Sequence, residues 1–421
     1  MNHPCQLAAS LLLSIALTAM VHAASNGVPS VDPVFGQDAE TWWESHPFNP
    51  DSPGYEPEIR SPSNEVSLKP GDSIADAIAD LPGSGGTIRL APGAYDGFDI
   101  IGRGNLHFLG ETGATITGPV RIYGSEAATD YRRFVPLVRV ERNTEAVECY
   151  QRQPAKNIYF SNLIWDGGGE RDVAIRMAAV RDIVWDHCTF RNYRMNSTGM
   201  HDGLINANSG QNNIWLRDCH LSGSQRYVVY WDGSYGAGFI RCRIDGRNFK
   251  GGVLLLTNDD FSCDYDGNGV LEEREIRQTR YFVAYGNTFS GNTDFNCISA
   301  TGSDILIKNN LVETPVKTLA FFNPKTSLIN PGETYSYFGH RIIGNRLQSA
   351  EALVEMNSRA DHLPPQQSNK ALLGKYEIRD NTVKGTADVV REVGSIAGPN
   401  VVKGNSINDP DPQPGTPKKA P

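Results

Sequence analysis

Two stretches of this 421-residue chain carry residue types and spacings that could do chemistry. The first is Asp264-Tyr265-Asp266-Gly267-Asn268-Gly269-Val270-Leu271-Glu272-Glu273-Arg274-Glu275. Oxygen donors alternate, a glycine sits sixth and a glutamate twelfth, which is the pattern of a loop that wraps Ca²⁺. Asp264, Asp266 and Asn268 would give side-chain oxygens and Val270 its carbonyl. Glu272 would give a water-bridged contact and Glu275 both carboxylate oxygens. No long pair of helices flanks the loop, so it is expected to be an isolated calcium loop that pins an insertion over 261–278.

The second is a set of short segments in which apolar and polar residues alternate. They include Asp202-Gly-Leu-Ile-Asn206-Ala-Asn208, Arg226-Tyr-Val-Val-Tyr230-Trp-Asp232 and Lys250-Gly-Gly-Val-Leu-Leu-Leu-Thr-Asn258. Cys297-Ile-Ser299-Ala-Thr301, Leu319-Ala-Phe321-Phe-Asn323 and Leu353-Val-Glu355-Met-Asn357 continue the series. Strand side chains alternate between faces. Ile205, Val229, Leu255, Ile298, Ala320 and Val354 are expected inside. Asn206, Tyr230, Asp232, Asn258, Ser299 and Glu355 are expected outside. The outer face would then gather cations (Arg226, Lys250), a phenol (Tyr230) and polar groups (Asp202, Asn206, Asn208, Asp232, Asn258), with His201 beside them. Cations next to a base could neutralise the carboxylate of an acidic sugar and remove its C5 proton.

The elements that must hold these residues repeat along the chain. An apolar strand, then Asn or Cys, then any residue, then an apolar residue recurs at Asn162, Cys188, Cys219, Cys242, Asn287, Asn310, Asn345, Asn381 and Asn405, in steps of 23 to 45 residues. The short steps hold one coil of strands and the long ones carry insertions. No repeat has a helical period, so stacked coils with a continuous core are expected. Ahead of them, Ser73 to Leu81 is apolar at helical spacing and is stopped by Pro82-Gly83. It leads into Gly86-Thr-Ile-Arg-Leu-Ala-Pro-Gly-Ala-Tyr95.

These features resemble the right-handed parallel β-helix of the pectate-lyase-like superfamily, over about residues 68–407. The resemblance implies an all-β, single-stranded solenoid with an N-terminal capping helix, and an Asn ladder at an inner turn. Three ladder positions are Cys188, Cys219 and Cys242, which are expected to stack inside as small buried residues. It also implies a polysaccharide lyase on an acidic, uronate-containing chain. Lys250 or Tyr230 would be the base, Arg226 the carboxylate neutraliser, and Ca²⁺ the bound ion. The hydrolase motifs of the same fold are out of order here, although Asn258-Asp259-Asp260 and Asn292-Thr293-Asp294 retain parts of them. A hydrolase, a C5-epimerase and a non-catalytic glycan-binding adhesin stay open as alternatives.

Composition narrows the classes. The chain has 39 Lys+Arg against 48 Asp+Glu, a formal charge of -9. That disfavours a nucleic-acid partner, which needs a basic surface. Residues 1–23, with the apolar run Leu11–Leu17 and the small-x-small site Val21-His22-Ala23, read as a cleavable signal for a secreted or periplasmic protein. No other run is long enough to span a bilayer. Residues 24–67, with Trp42-Trp43, read as an irregular N-terminal wrap, and the Pro-rich residues 408–421 as a disordered tail. Cys263 and Cys297 are expected to pair as a disulfide, and the chain to act as a monomer on a polysaccharide.

Overall fold

The computed structural model describes residues 62–126, 155–171, 173–194, 203–207, 212–223, 227–232, 235–246, 254–257, 279–291, 296–323, 334–358, 370–385 and 387–408. The chain divides between Arg60 and Ser61, and the described residues all lie in the unit that follows.

Strands are almost the only regular elements among them, and every register pairs them in parallel. Two long sheets result. In the first, the order runs from Glu65–Leu68 through Ala155–Ser161, Val180–Asp186 and Asn212–Arg217 to Val401–Lys403, each strand pairing with its equivalent one coil on. The second sheet gathers the remaining strands of each coil, including Gly203–Ala207, Tyr227–Asp232, Asn296–Ala300, Leu311–Phe322 and Arg346–Asn357. A small third sheet joins Thr334–Tyr337, Lys370–Gly374 and Ile396–Ala397. This is a parallel β-helix, as the repeat predicts.

The core runs along the axis as columns of like residues. Phe108, Phe160 and Trp185 stack with ring centroids 4.9 and 5.5 Å apart, and Trp165 stacks on Phe190 at 4.8 Å. These spacings match the ~4.8 Å between paired strands, so each coil presents its ring to the next. At the first end lies one short helix, α1 (Ile74–Asp80). Ser73 caps it by accepting a hydrogen bond from the Asp76 amide at 3.1 Å, and Ile74, Ala77 and Ile78 join the core. Among the described residues no helix covers the last coil, where Val401, Val402 and Ile407 remain 41–44% exposed.

From Ala155–Ser161 onward each coil turns from the first sheet into the second through one residue with positive φ. It is Asn162 (54°), His187 (53°), Asp218 (52°), Arg241 (53°), Gly286 (64°), Asn309 (56°), Gly344 (66°), Asp380 (58°) and Gly404 (65°) in successive coils. Asn, Asp and Gly tolerate this left-handed backbone, whereas His187 and Arg241 pay a steric cost for it. The residue after the turn points inward and forms the ladder. Register aligns Thr189 with Ile164, so the ladder position before Cys188 is Leu163. The sequence repeat predicts Asn162 there. That asparagine serves the turn instead, and the type alone does not separate the two roles.

From Asn287 onward the ladder is a chain of amides. The Asn310 amide N–H and side-chain Nδ2 both donate to Asn345 Oδ1 at 2.9 Å, and Asn345 repeats the pattern on Asn381 at 2.8 and 2.9 Å. Each Nδ2 also donates to a carbonyl one coil back, such as Asn310 to Ala284 at 2.8 Å. In the three coils before, thiols make the equivalent reach: Cys188 to the Phe160 carbonyl at 3.6 Å, and Cys219 and Cys242 to those of Trp185 and Leu216 at 3.4 Å. All three are free and buried. Burial pushes the Cys188 and Cys242 thiols well above their ordinary range, so these sulfurs act as neutral packing groups. Cys297 is also free, fully buried and in the core, with its thiol pushed up to about 12 by burial. The alternation of this strand predicts an outward Cys297, and the core placement corrects that; Cys263, its expected partner, lies outside the described residues.

Candidate functional site

The outer face of the second sheet carries one residue per coil in a continuous column. Register sets Arg121 beside Arg176, Arg176 beside Asn206, and Asn206 beside Tyr230. The column continues through Leu255, Ser299, Phe321, Glu355 and Arg391. Its immediate neighbours Ile175, Ile205, Val229, Ile298, Ala320 and Val354 lie in the core. Alternation therefore fixes the face, as the sequence predicts for Asn206, Tyr230, Ser299 and Glu355.

One coil departs from the prediction. Leu254 is the core residue opposite Val229 and Ile298, and Leu255 takes the column position between Tyr230 and Ser299. In a run of three leucines a period of two leaves no trace, so only the neighbouring coils set the register. The same shift puts Thr257 opposite Asp232 at the end of Tyr227–Asp232.

Several polar members of this face are withdrawn from solvent. Asn206 is 0% and Tyr230 2% exposed, and Ser299 and Glu355 are buried as well. The Tyr227 ring lies 6.1 Å from that of Tyr230. Thr318 donates to Asn296 Oδ1 at 2.6 Å, and Asn296 donates to Ser299 Oγ at 3.3 Å. Toward the first end, Arg121 forms a two-pronged pair with Asp99 at 2.7 and 2.6 Å, which raises its pKa. Arg176, half-buried, stands between that pair and Asn206.

Of the residues singled out from sequence, the structure brings Asn206 and Tyr230 side by side and places Asp232 in the same strand. Lys250, Arg226, Asp202, Asn208, Asn258 and His201 lie outside the described residues, as does the whole calcium loop with Asp264, Asp266, Asn268, Val270, Glu272 and Glu275. Residues 1–23 and Trp42-Trp43 lie outside them too. Arg121 and Arg176 were missed, although Val120-Arg-Ile and Ile175-Arg-Met show the same apolar–polar–apolar signature.

On the outer face of the first sheet lies a different cluster. Asp186 accepts Arg217 Nε and Nη2 at 2.8 and 2.9 Å, the Tyr159 hydroxyl at 2.7 Å, and contacts His187 Nδ1 at 2.9 Å. Desolvation works to raise the Asp186 carboxyl, but Arg217 and Tyr159 outweigh it and hold it below the usual range. Desolvation and the bond to Asp186 push the Tyr159 phenol up to about 12. Asp186, His187 and Asp218 bring ligand atoms within 4.8 Å of one another. They do not fit a divalent cation. Asp186 is filled by Arg217 and Tyr159, and Asp218 by Arg241 Nε and Nη2 at 2.8 and 2.7 Å. The cluster reads as a stapled turn.

No family model matches the chain, and no curated protein matches it in sequence. Among solved structures, it is similar to the A-module of mannuronan C-5 epimerase AlgE6 of Azotobacter vinelandii, with 16% identity, TM-score 0.43 and coverage of 80% of this chain and 94% of that one. It is similar to a hyperthermoactive exopolygalacturonase from Thermotoga maritima, with 9% identity, TM-score 0.41 and coverage of 81% and 94%. It is also similar to the catalytic domain of a GH87 alpha-1,3-glucanase in complex with nigerose, with 12% identity, TM-score 0.36 and coverage of 85% and 69%. Likeness at this level does not select a reaction. By its own strand order, register and inner-turn ladder, the chain folds as a parallel β-helix.

Proposed function

We propose that this is a carbohydrate-active protein that lays an acidic polysaccharide along the outer face of the second sheet and cleaves it by β-elimination. The observation that carries the reading is the column Arg121–Arg176–Asn206–Tyr230, in which cations, an amide and a phenol follow one another at successive coils. Neighbouring coils are ~4.8 Å apart, so the column is a linear array suited to a linear polymer. In this reading Arg226 neutralises the uronate carboxylate. Lys250 or Tyr230 removes the C5 proton, and the C4–O bond breaks as the double bond forms. Asp202, Asn208, Asp232, Asn258 and His201 hold the sugar hydroxyls, and Asn206, withdrawn from solvent, stands beside Tyr230 beneath that contact. An epimerase would share the proton abstraction and return the proton to the opposite face. A hydrolase would instead need Asp259 and Asp260 as paired carboxylates. A binding protein would hold the polymer without turnover.

The test is ultraviolet absorbance on incubation with alginate and polygalacturonate. A growing signal from an unsaturated product supports β-elimination, and new reducing ends without it point to hydrolysis. Lys250→Ala and Arg226→Ala should each lower turnover by about 10²–10⁴-fold with the melting temperature nearly unchanged. Full activity in both variants would sink the assignment.

The donors of the 264–275 loop are all hard oxygens, the chemistry Ca²⁺ selects. Bound there, the ion would hold the insertion in place. At a hundredfold excess over the dissociation constant it would contribute about 2.7 kcal/mol. Chelation should therefore lower the melting temperature, and Asp264→Ala should abolish that sensitivity. An unchanged melt on chelation removes the calcium reading. The N-terminal segment 1–23 is read as an export signal. Among the described residues no helix is long and apolar enough to cross a membrane.

A further inference from the structure

Four coils beyond Tyr230 in the same outer column stands Glu355, about 19 Å away along the axis at ~4.8 Å per coil. Its side chain is 9% exposed. A carboxylate this buried normally accepts several hydrogen bonds. Here no described residue donates one. Lys317 Nζ stands 4.0 Å from Oε2 and Arg391 Nη1 stands 3.7 Å from it, both too far to bond. Arg391 is shared with Glu351 at 3.7 Å and Asp388 at 3.5 Å, so it is not drawn fully onto Glu355. The preceding column residue is the half-buried ring of Phe321.

We infer that Phe321 and Glu355 form a second saccharide-binding subsite, remote from the reacting end and resting on the polysaccharide reading above. An anionic acceptor to which no described residue donates takes hydroxyl donors. An adjacent aromatic face takes the apolar face of a sugar ring. The carboxylate repels a uronate carboxylate, so the sugar held here presents hydroxyls to Glu355, and its acid group turns toward Lys317 or Arg391. The subsite binds chain at a distance from the bond that breaks. It favours long polymers over short ones and takes no part in proton transfer.

Affinity electrophoresis of the full chain through gels containing alginate, polygalacturonate or a neutral β-glucan tests this directly. The wild type should be retarded by at least one polymer. Glu355→Ala should weaken that retardation by about ten- to a hundredfold in apparent affinity, as expected for losing hydrogen bonds to a charged acceptor. Phe321→Ala should act in the same direction. Glu355→Ala leaves Lys317 and Arg391 partly solvated, so its melting temperature should stay close to that of the wild type. A lowered melt with unchanged mobility would make Glu355 a structural residue and overturn the subsite. Retardation of both variants equal to that of the wild type would overturn it while leaving the polysaccharide reading intact. No retardation of the wild type by any of the polymers would overturn both.

Discussion

Asn345→Ala should destabilise the C-terminal coils by about 3–5 kcal/mol, combining a buried cavity with orphaned polar groups. Asn345 is 0% exposed. Its Oδ1 accepts both the amide N–H and the side-chain Nδ2 of Asn310, and its Nδ2 donates to the Ile307 carbonyl and to Asn381 Oδ1, all at 2.9 Å. Truncation strands the Asn310 amide inside the solenoid, because that N–H has no other acceptor in the ladder. Asn310 Nδ2 keeps Ala284, and Asn381 Oδ1 keeps the Asn345 amide at 2.8 Å, so the loss falls short of four full bonds. Against a total stability of ordinary size this is a large fraction. Repeats contact mainly their neighbours, so the damage should stay local. Amide hydrogen exchange should accelerate in Arg341–Ile343 and Glu377–Arg379 before it does in Val180–Asp186. Asn345→Cys should be milder, because Cys242 shows that a thiol at this position reaches the equivalent carbonyl at 3.4 Å. Uniform protection across all coils in Asn345→Ala would refute the ladder's role.

His340→Phe should stabilise the protein, and increasingly so in acid. His340 is fully buried, its ring lies 4.0 Å from that of Phe322, and, with the Tyr337 backbone nearby, neither ring nitrogen reaches good hydrogen-bond geometry with a described residue. Burial drives the imidazole down to about 3, opposed only by the Tyr337 backbone. Phenylalanine keeps the ring stack and removes two unsatisfied polar atoms, a gain of about 1–3 kcal/mol at neutral pH. The pH dependence has a definite sign. The folded histidine binds its proton only near pH 3, whereas the unfolded one binds it near 6.5. Over that window the unfolded chain holds more protons, so the wild type loses stability as pH falls from about 6.5 toward about 3. The variant has no such loss, and at about pH 4 the gap between the two should widen by roughly 3 kcal/mol. Asp166 and Asp186, whose carboxyls are held low in the fold, weaken both proteins in acid and cancel in the comparison. Denaturant melts of both proteins across this range are the measurement. A gap that does not grow toward acid would show that the His340 site admits water or a partner.

The class of fold was legible because two local rules repeat. From Ala155–Ser161 onward each coil has a turn residue of positive φ, and from Cys188 onward each has a small polar or thiol side chain just after it. Asn309-Asn310, Gly344-Asn345 and Asp380-Asn381 display both rules side by side. The outer face was legible wherever apolar and polar residues alternate, as in Leu204-Ile-Asn-Ala207 and Val228-Val-Tyr-Trp231. It was not legible in Leu254-Leu-Leu256, where alternation is silent, nor at Asn162, whose type suits both turn and ladder.

What only the tertiary structure decided is which residues meet across coils. Arg121, Arg176, Asn206 and Tyr230 are separated by 24 to 55 residues, yet lie at successive steps of one column. The intervening insertions vary in length, so sequence distance does not measure spatial distance. Asp186 likewise offers a metal ligand by type, but it is filled once Arg217 and Tyr159 fold onto it. Glu355 reads as one more outward acid until Lys317 and Arg391 are seen standing just beyond hydrogen-bond reach. Periodicity is a property of one strand and survives in the sequence, whereas partnership between strands depends on register and appears only when the coils stack.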